Sequence, residues 1–221
     1  MTTVLIVDDQ PLQRLGFRML LESQDDLSIA GEAGNGSEAV RLAAELRPDV
    51  ALMDIRMPGM DGIEATRRIA AAGDRTRVLI LTTFDLDEYA YAGLRAGASG
   101  FLLKDAEPDE VLSGIRAVAG GDAVVAPRLT RRLLDAYVQH LPPHPDAPAP
   151  MDPRLARLTD REREILEAIG QGWTNTEIAR HFHLAESTVK THVGRILAKT
   201  GSRDRVQAVI LAYDTRLVNP S

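Results

Sequence analysis

The sequence predicts an α/β unit built on a doubly wound, five-stranded parallel sheet, followed by a small all-helical unit. Three observations carry that reading. Apolar runs alternate with amphipathic stretches over residues 1–124 and then cease. A proline-dense stretch, 141–153, holds six of the twelve prolines. The charge also changes sign along the chain: 13 basic against 21 acidic residues over 1–130, two of each over 131–150, and 11 against 9 over 151–221. The formal net charge of −6 therefore hides an acidic first part and a mildly basic last part, which points to two domains with different partners.

Val4–Val7, Val50–Met53, Val78–Leu81 and Phe101–Leu103 are continuous apolar runs, as expected of parallel strands covered on both faces. Leu27–Ala33 alternates and suits an edge strand. Helical patterns lie between, such as Ser37–Leu46 and Pro108–Ala119, the latter opened by proline and closed by Gly120-Gly121. Pro127–His140 reads as a further helix, with Leu129, Leu133, Leu134, Tyr137 and Val138 at helical spacing. The segment 141–153 is a semi-rigid spacer, since proline fixes φ and lacks a backbone donor. The domain division expected is 1–124, a linker over 125–153, and 154–218.

Beyond the linker the helices announce their own starts. Thr159-Asp-Arg-Glu162 and Thr174-Asn-Thr-Glu177 are T-x-x-E capping boxes, and Ser187 and Ser202 are further N-cap candidates. Helices are expected near 160–170, 174–181, 187–199 and 203–215. The absence of cysteine excludes disulfides, thiolate metal sites and a Cys nucleophile. No apolar run is long enough to span a bilayer and no signal peptide is evident, so a cytoplasmic protein is expected.

In an open α/β sheet, chemistry gathers at the carboxyl ends of the strands. Asp8 and Asp9 follow the first run, Asp54 the third, Thr82 the fourth and Lys104 the fifth. A lone Asp in such a place is ordinarily a turn former or a cap. Three carboxylates, a hydroxyl and an ammonium at successive strand ends are a constellation. Crowded carboxylates partly protonate unless a cation is near, and a few oxygen ligands suit Mg²⁺. Lys104 is one of only three lysines beside 23 arginines, and a flexible point charge suits contact with a phosphoryl group.

These residues resemble the receiver domains of two-component response regulators. The resemblance covers essentially all of 1–124: Val7-Asp8-Asp9, Asp54 followed by Met57-Pro58-Gly59-Met60-Asp61-Gly62, then Thr82, then Phe101-Leu-Leu-Lys104. It implies a flavodoxin-like fold with Asp54 as phosphoacceptor. It implies Mg²⁺ held by Asp9, Asp54 and the backbone carbonyl of Arg56, with Asp8 assisting through water. Lys104 would contact the phosphoryl oxygens, and Thr82 and Phe101 would form a switch pair. Asp105 stands where many receivers carry proline, so a cis peptide is not assumed there.

Residues 155–216 resemble the LuxR/NarL-type helix-turn-helix output domain. The matching residues are Leu158-Thr159-x-Arg161-Glu162-x-Glu164, Gly172-Trp173-x-Asn175-x-Glu177-Ile178-Ala179 and Ser187-Thr188-Val189-Lys190-Thr191-His192-Val193. The resemblance makes 187–199 the recognition helix, entering the major groove of double-stranded DNA, with Ile178, Ala179 and Val189 packing the turn. Residues 187–205 hold five basic groups against Asp204. Lys190, Thr191, His192 and Arg195 are expected to face DNA, with Lys199, Arg203 and Arg205 nearer phosphates. Gly194 stands where related domains often carry a basic residue. The stripe Val206, Val209, Ile210, Tyr213 and Leu217 either packs on its own domain or pairs two copies.

The function implied is a phosphorylation-gated transcriptional regulator, supplied with phosphoryl groups by a sensor histidine kinase and acting as a homodimer. It would promote its own phosphorylation without being a free-standing enzyme. The alternative is a constitutive DNA-binding dimer whose receiver is only a scaffold. A phosphatase with an aspartyl nucleophile is disfavoured, because Arg56 stands where such enzymes place a second Asp.

Overall fold

The computed structural model describes residues 1–73, 76–82, 92, 93, 95–121, 124, 125 and 152–218, which fall into two compact units treated separately below. The expected helix over 127–140 and nearly all of the spacer lie outside the described residues. Among the described residues, no helix is long and apolar enough to cross a membrane.

In the first unit the elements run β1 (Thr2–Val7), α1 (Pro11–Glu22), β2 (Leu27–Ala33), α2 (Gly36–Leu46), β3 (Val50–Asp54), α3 (Gly62–Ala71), β4 (Arg77–Thr82), β5 (Gly100–Leu103), α4 (Pro108–Gly120) and β6 (Val124–Val125). The sheet order is β2-β1-β3-β4-β5-β6 and every pairing is parallel. The five expected strands are all present, with β2 at an edge. The two-residue β6, which pairs Gly100 with Val124 and Phe101 with Val125, was not expected. Two apolar residues beside a glycine pair are too short a run to show a period.

Side chains alternate between the sheet's faces. Val4, Ile6, Val50, Leu52, Leu79, Leu81 and Leu102 pack with Leu21 of α1 and with Val111, Leu112, Ile115 and Val118 of α4. The alternate residues Leu5, Val7, Ala51, Met53, Ile80 and Phe101 are buried as well. The near-continuous apolar runs are thus the imprint of burial on both faces. Strand β1 starts two residues before its apolar run because Thr3 is polar yet anchored. Its N–H and hydroxyl donate to Asp49 Oδ2 at 2.9 and 2.8 Å, and the Asp49 N–H donates back to Thr3 Oγ1 at 2.9 Å.

The second unit opens with a 3₁₀ turn (Leu155–Arg157), followed by α5 (Asp160–Gly170), α6 (Asn175–Phe182), α7 (Glu186–Thr200) and α8 (Arg205–Asp214). Both capping boxes form. Two other expected caps do not. Helix α7 starts at Glu186 behind Ala185, so Ser187 is already inside it. Asp204 caps α8 by accepting from the Gln207 N–H at 3.0 Å, while the Ser202 hydroxyl is 2.9 Å from Thr200 Oγ1. A carboxylate near an N-terminus also interacts favourably with the helix dipole, which an uncharged serine does not. Of the stripe on and after α8, Val206, Ile210 and Tyr213 are buried within the unit, and Val209 and Leu217 are half-buried.

Candidate functional site

The carboxyl ends of β1, β3, β4 and β5 bring together residues that are 96 positions apart in sequence. Asp8, Asp9 and Asp54 each offer an oxygen within 4.8 Å of the other two. Lys104 Nζ lies 2.8 Å from Asp8 Oδ2 and 2.9 Å from Asp54 Oδ2. Asp8 and Asp54 are buried, and Asp9 is half-exposed at the rim. One ammonium therefore bridges two of the three carboxylates, and the acids outnumber it by two. Burial pushes the Asp54 carboxyl above its usual range, against the pull of Lys104. For Lys104 burial acts downward, but its bonds to Asp8 and Asp54 prevail and raise it.

Backbone geometry holds this cluster in shape. The Lys104 N–H donates to the Thr82 carbonyl at 2.8 Å, which fixes the end of β5 against β4. Asp8 Oδ1 accepts from the Gln10 N–H at 2.9 Å, so both Asp8 oxygens are engaged. Arg14 of α1 donates to the Asp8 carbonyl at 2.8 Å, an anchoring role that nothing in the local sequence signalled. The loop after Asp54 is clamped by glycines. A Cβ on Gly62 would fall 1.9 Å from the Asp54 carbonyl oxygen, and one on Gly36 would fall 2.5 Å from that of Met60. Gly62 N–H donates to Ile55 O at 2.9 Å. Beside Asp9, a shallow depression is lined by Ile55, Arg56, Met57, Pro58 and Asp61. Thr82 is buried, and the Phe101 ring is fully buried against Gly93, where a Cβ would lie 2.7 Å from the ring.

The donor set is all oxygen, converging and short of positive charge. Those are the requirements of a hard divalent cation such as Mg²⁺. The residues present fit one.

In the second unit, α6 and α7 meet at a tight turn where His183 adopts a left-handed φ of 54° and Leu184 N–H donates to Ala179 O at 2.9 Å. Ile178, Ala179 and Val189 are buried at this junction. On α7 the exposed residues are Glu186, Ser187, Lys190, Thr191, Gly194, Arg195 and Ala198, a continuous stripe at helical spacing. It carries two cations, one carboxylate, two hydroxyls and no bulky apolar group. His192 is half-buried on the flank. Lys199 points to α5, its Nζ 2.6 Å from Glu162 Oε2. Arg205 donates to Asn175 Oδ1 at 2.9 Å and to the Trp173 carbonyl.

Residues 4–116 match the response regulator receiver domain, and residues 156–212 match the bacterial regulatory proteins of the luxR family. The transcriptional regulatory protein LiaR of Bacillus subtilis is 40% identical over 219 residues, 99% of this chain and 100% of its own length. The chain belongs to the response regulators with a LuxR-type output domain. The nitrate/nitrite response regulator NarL of Escherichia coli is 34% identical over 97% of this chain and 96% of its own. Among solved structures, the response regulator ChrA of a heme-sensing two-component system is 36% identical and covers 98% of both chains, with a TM-score of 0.52. A LuxR-family response regulator from Aurantimonas sp. is 34% identical over 61% of this chain and 96% of its own, with a TM-score of 0.57. This response regulator is thus a two-component transcriptional regulator that joins a receiver to a DNA-binding LuxR domain.

Proposed function

We propose that Asp54 is the phosphoacceptor and that its phosphorylation gates DNA binding by the second unit. A Lys104 ammonium shared between Asp8 and Asp54, with Asp9 beside them, is the observation that carries this reading. A sensor histidine kinase donates the phosphoryl group. An Asp54 carboxylate oxygen attacks phosphorus, the P–N bond to the donor histidine breaks, and the imidazole nitrogen keeps the electron pair and takes a proton. Asp9, Asp54 and the Arg56 carbonyl hold Mg²⁺, and Asp8, with both oxygens already engaged, acts at one remove through water. The ion supplies positive charge beside the reacting oxygens. Lys104 moves from the free carboxylate to the phosphoryl oxygens, which offer it a stronger acceptor. The Thr82 hydroxyl turns to the same group, and the Phe101 ring adjusts beside it as the second half of the switch.

The receiver comprises 1–124, the linker 125–153 and the DNA reader 154–218. Phosphorylation promotes pairing of two copies, frees the DNA-reading helix, or does both, and the protein acts in the cytoplasm. Lys190, Thr191 and Arg195 on the exposed stripe of α7 meet the major groove, flanked by His192. Arg203 adds positive charge near the phosphates, whereas Arg205 is engaged with Asn175 and the Trp173 carbonyl.

The test is Asp54→Asn. Acetyl phosphate with Mg²⁺ labels the wild-type chain on one aspartate and raises its affinity for duplex DNA enriched by the protein from a random pool; the variant does neither. If the variant is labelled as before and its affinity still responds to acetyl phosphate, Asp54 is not the acceptor. If the wild type's DNA affinity does not respond, the receiver is a scaffold.

A further inference from the structure

Three lysines serve this chain, and two of them are on α7. Only Lys190 belongs to the exposed stripe. Lys199 falls with half-buried Thr188 and His192 on the flank, and its ammonium is 2.6 Å from Glu162 Oε2. Glu162 is only 3% exposed. The same oxygen accepts from the Thr159 N–H at 2.8 Å and from the Thr159 hydroxyl at 3.1 Å. One carboxylate oxygen thus joins the first turn of α5 to the last turn of α7. A lysine that left this site for a DNA phosphate would strand a buried carboxylate, and an uncompensated buried charge is strongly unfavourable.

We infer that Lys199 is a positioning residue: its ion pair with Glu162 sets the angle at which α7 presents Lys190, Thr191 and Arg195, and it makes no phosphate bond itself. This rests on the reading of the second unit as a DNA reader. Arg205 is tied in the same manner, to Asn175 at the start of α6 and to Trp173 just ahead of it, so that both helices of the motif are held at their ends by cations. Base contacts need the helix aligned to a fraction of a turn, whereas attraction to phosphates does not. Loss of the pair should therefore cost sequence discrimination ahead of general affinity.

The experiment measures dissociation constants of the full chain, treated with acetyl phosphate and Mg²⁺, over a series of salt concentrations. Two probes are used: a duplex enriched by the wild-type protein from a random pool, and a scrambled duplex of equal length. Lys199→Met keeps the apolar stem, and Glu162→Gln keeps an N-terminal cap, since glutamine also accepts at that position. Each is expected to lower the preference for the enriched duplex about ten-fold while leaving the salt slope unchanged, and the double variant should be no worse than either single one. Lys190→Gln, as the reference for an exposed cation on the DNA-facing stripe, should lower the slope by about one.

The inference is overturned if Lys199→Met lowers the slope by about one and weakens both duplexes equally. It is also overturned if Glu162→Gln, by freeing the lysine and removing a negative charge, binds both duplexes more tightly. Should Lys199→Met fail to fold, as read by the fluorescence of the single tryptophan, Trp173, the Glu162→Gln result decides alone. A wild-type chain that binds neither duplex removes the DNA-reading function itself, and this inference with it.

Discussion

In the first unit a single ammonium is shared between two of three clustered carboxylates, whereas in the second an ammonium and two donors of Thr159 converge on one carboxylate. Both arrangements pair a lysine with a buried acid, yet they differ in what is left over. Around Lys104 negative charge remains, and the cluster is chemically open to a cation. Around Glu162 three donors meet on one oxygen, Oε2, and the pair ties two helices together. The presence of a buried ion pair therefore says little about function; the charge remaining after pairing says more.

Removing each lysine should expose that difference most strongly. Without divalent ions, Lys104→Met leaves Asp8 and Asp54 uncompensated and should destabilise the first unit by about 3 kcal/mol, a cost that millimolar Mg²⁺ partly restores. Lys199→Met should cost the second unit roughly 1–2 kcal/mol, because the Thr159 bonds to Glu162 survive, and Mg²⁺ should not restore it. Hydrogen exchange of peptides from 2–54 and Trp173 fluorescence, each followed in urea, report the two units. Equal rescue of both variants by Mg²⁺ would erase the distinction.

Gly62→Ala comes next. Its Cβ would overlap the Asp54 carbonyl, so the first unit should lose about 1–3 kcal/mol, and labelling by acetyl phosphate should fall with it. A urea midpoint within error of wild type would show that the loop yields more easily than its geometry implies.

Acid should affect the two sites in opposite directions. Asp54 is held above its ordinary range by burial, so its folded form binds the proton more tightly than its unfolded form. The stability linked to that proton is fully present below the unfolded pKa and is lost as pH rises through the folded one. Burial also pushes Glu162 upward, but Lys199 and Thr159 outweigh it and bring the group below its ordinary range. Its contribution is present above the unfolded pKa and disappears as pH falls through the folded one. The difference in stability between wild type and Asp54→Asn should thus shift toward the wild type on mild acidification. That between wild type and Glu162→Gln should shift against it at lower pH.

The smallest effects concern glycines within helices. Gly194 on α7 and Gly16 on α1 have open space where a Cβ would go. Replacement by alanine should stabilise each unit by up to about 1 kcal/mol. Gly194→Lys would place a third cation on the exposed stripe, with a salt slope steeper by about one as its signature.

The strands and the strand-end acids were legible because burial on both faces writes unbroken apolar runs, and because chemistry follows each run directly. The polar start of β1 was not, since the Thr3–Asp49 bonds join residues 46 positions apart. The anchoring of Asp8 by Arg14 was hidden for a related reason: one arginine on a helix face gives no sign of which carbonyl it reaches. Lys199 and Arg205 were assigned toward DNA phosphates from charge and neighbourhood. Which partner a long cationic side chain takes is decided by what lies across from it, and Glu162 and Asn175 are 37 and 30 positions away. The capping boxes could be read because each is complete within four residues. Ser187 and Ser202 misled because a cap is a competition among adjacent candidates, and the neighbouring backbone decided it.

The separation of 96 residues between Lys104 and Asp8 has a meaning for a chain under synthesis. Strand β1 lies inside the sheet, flanked by β2 and β3, while the ammonium arrives only with β5. A nascent or prematurely ended chain lacking β5 presents Asp8, Asp9 and Asp54 without their counter-charge. Such carboxylates repel one another and hold the strand ends apart. The counter-charge of the cluster is thus the last of its parts to be made.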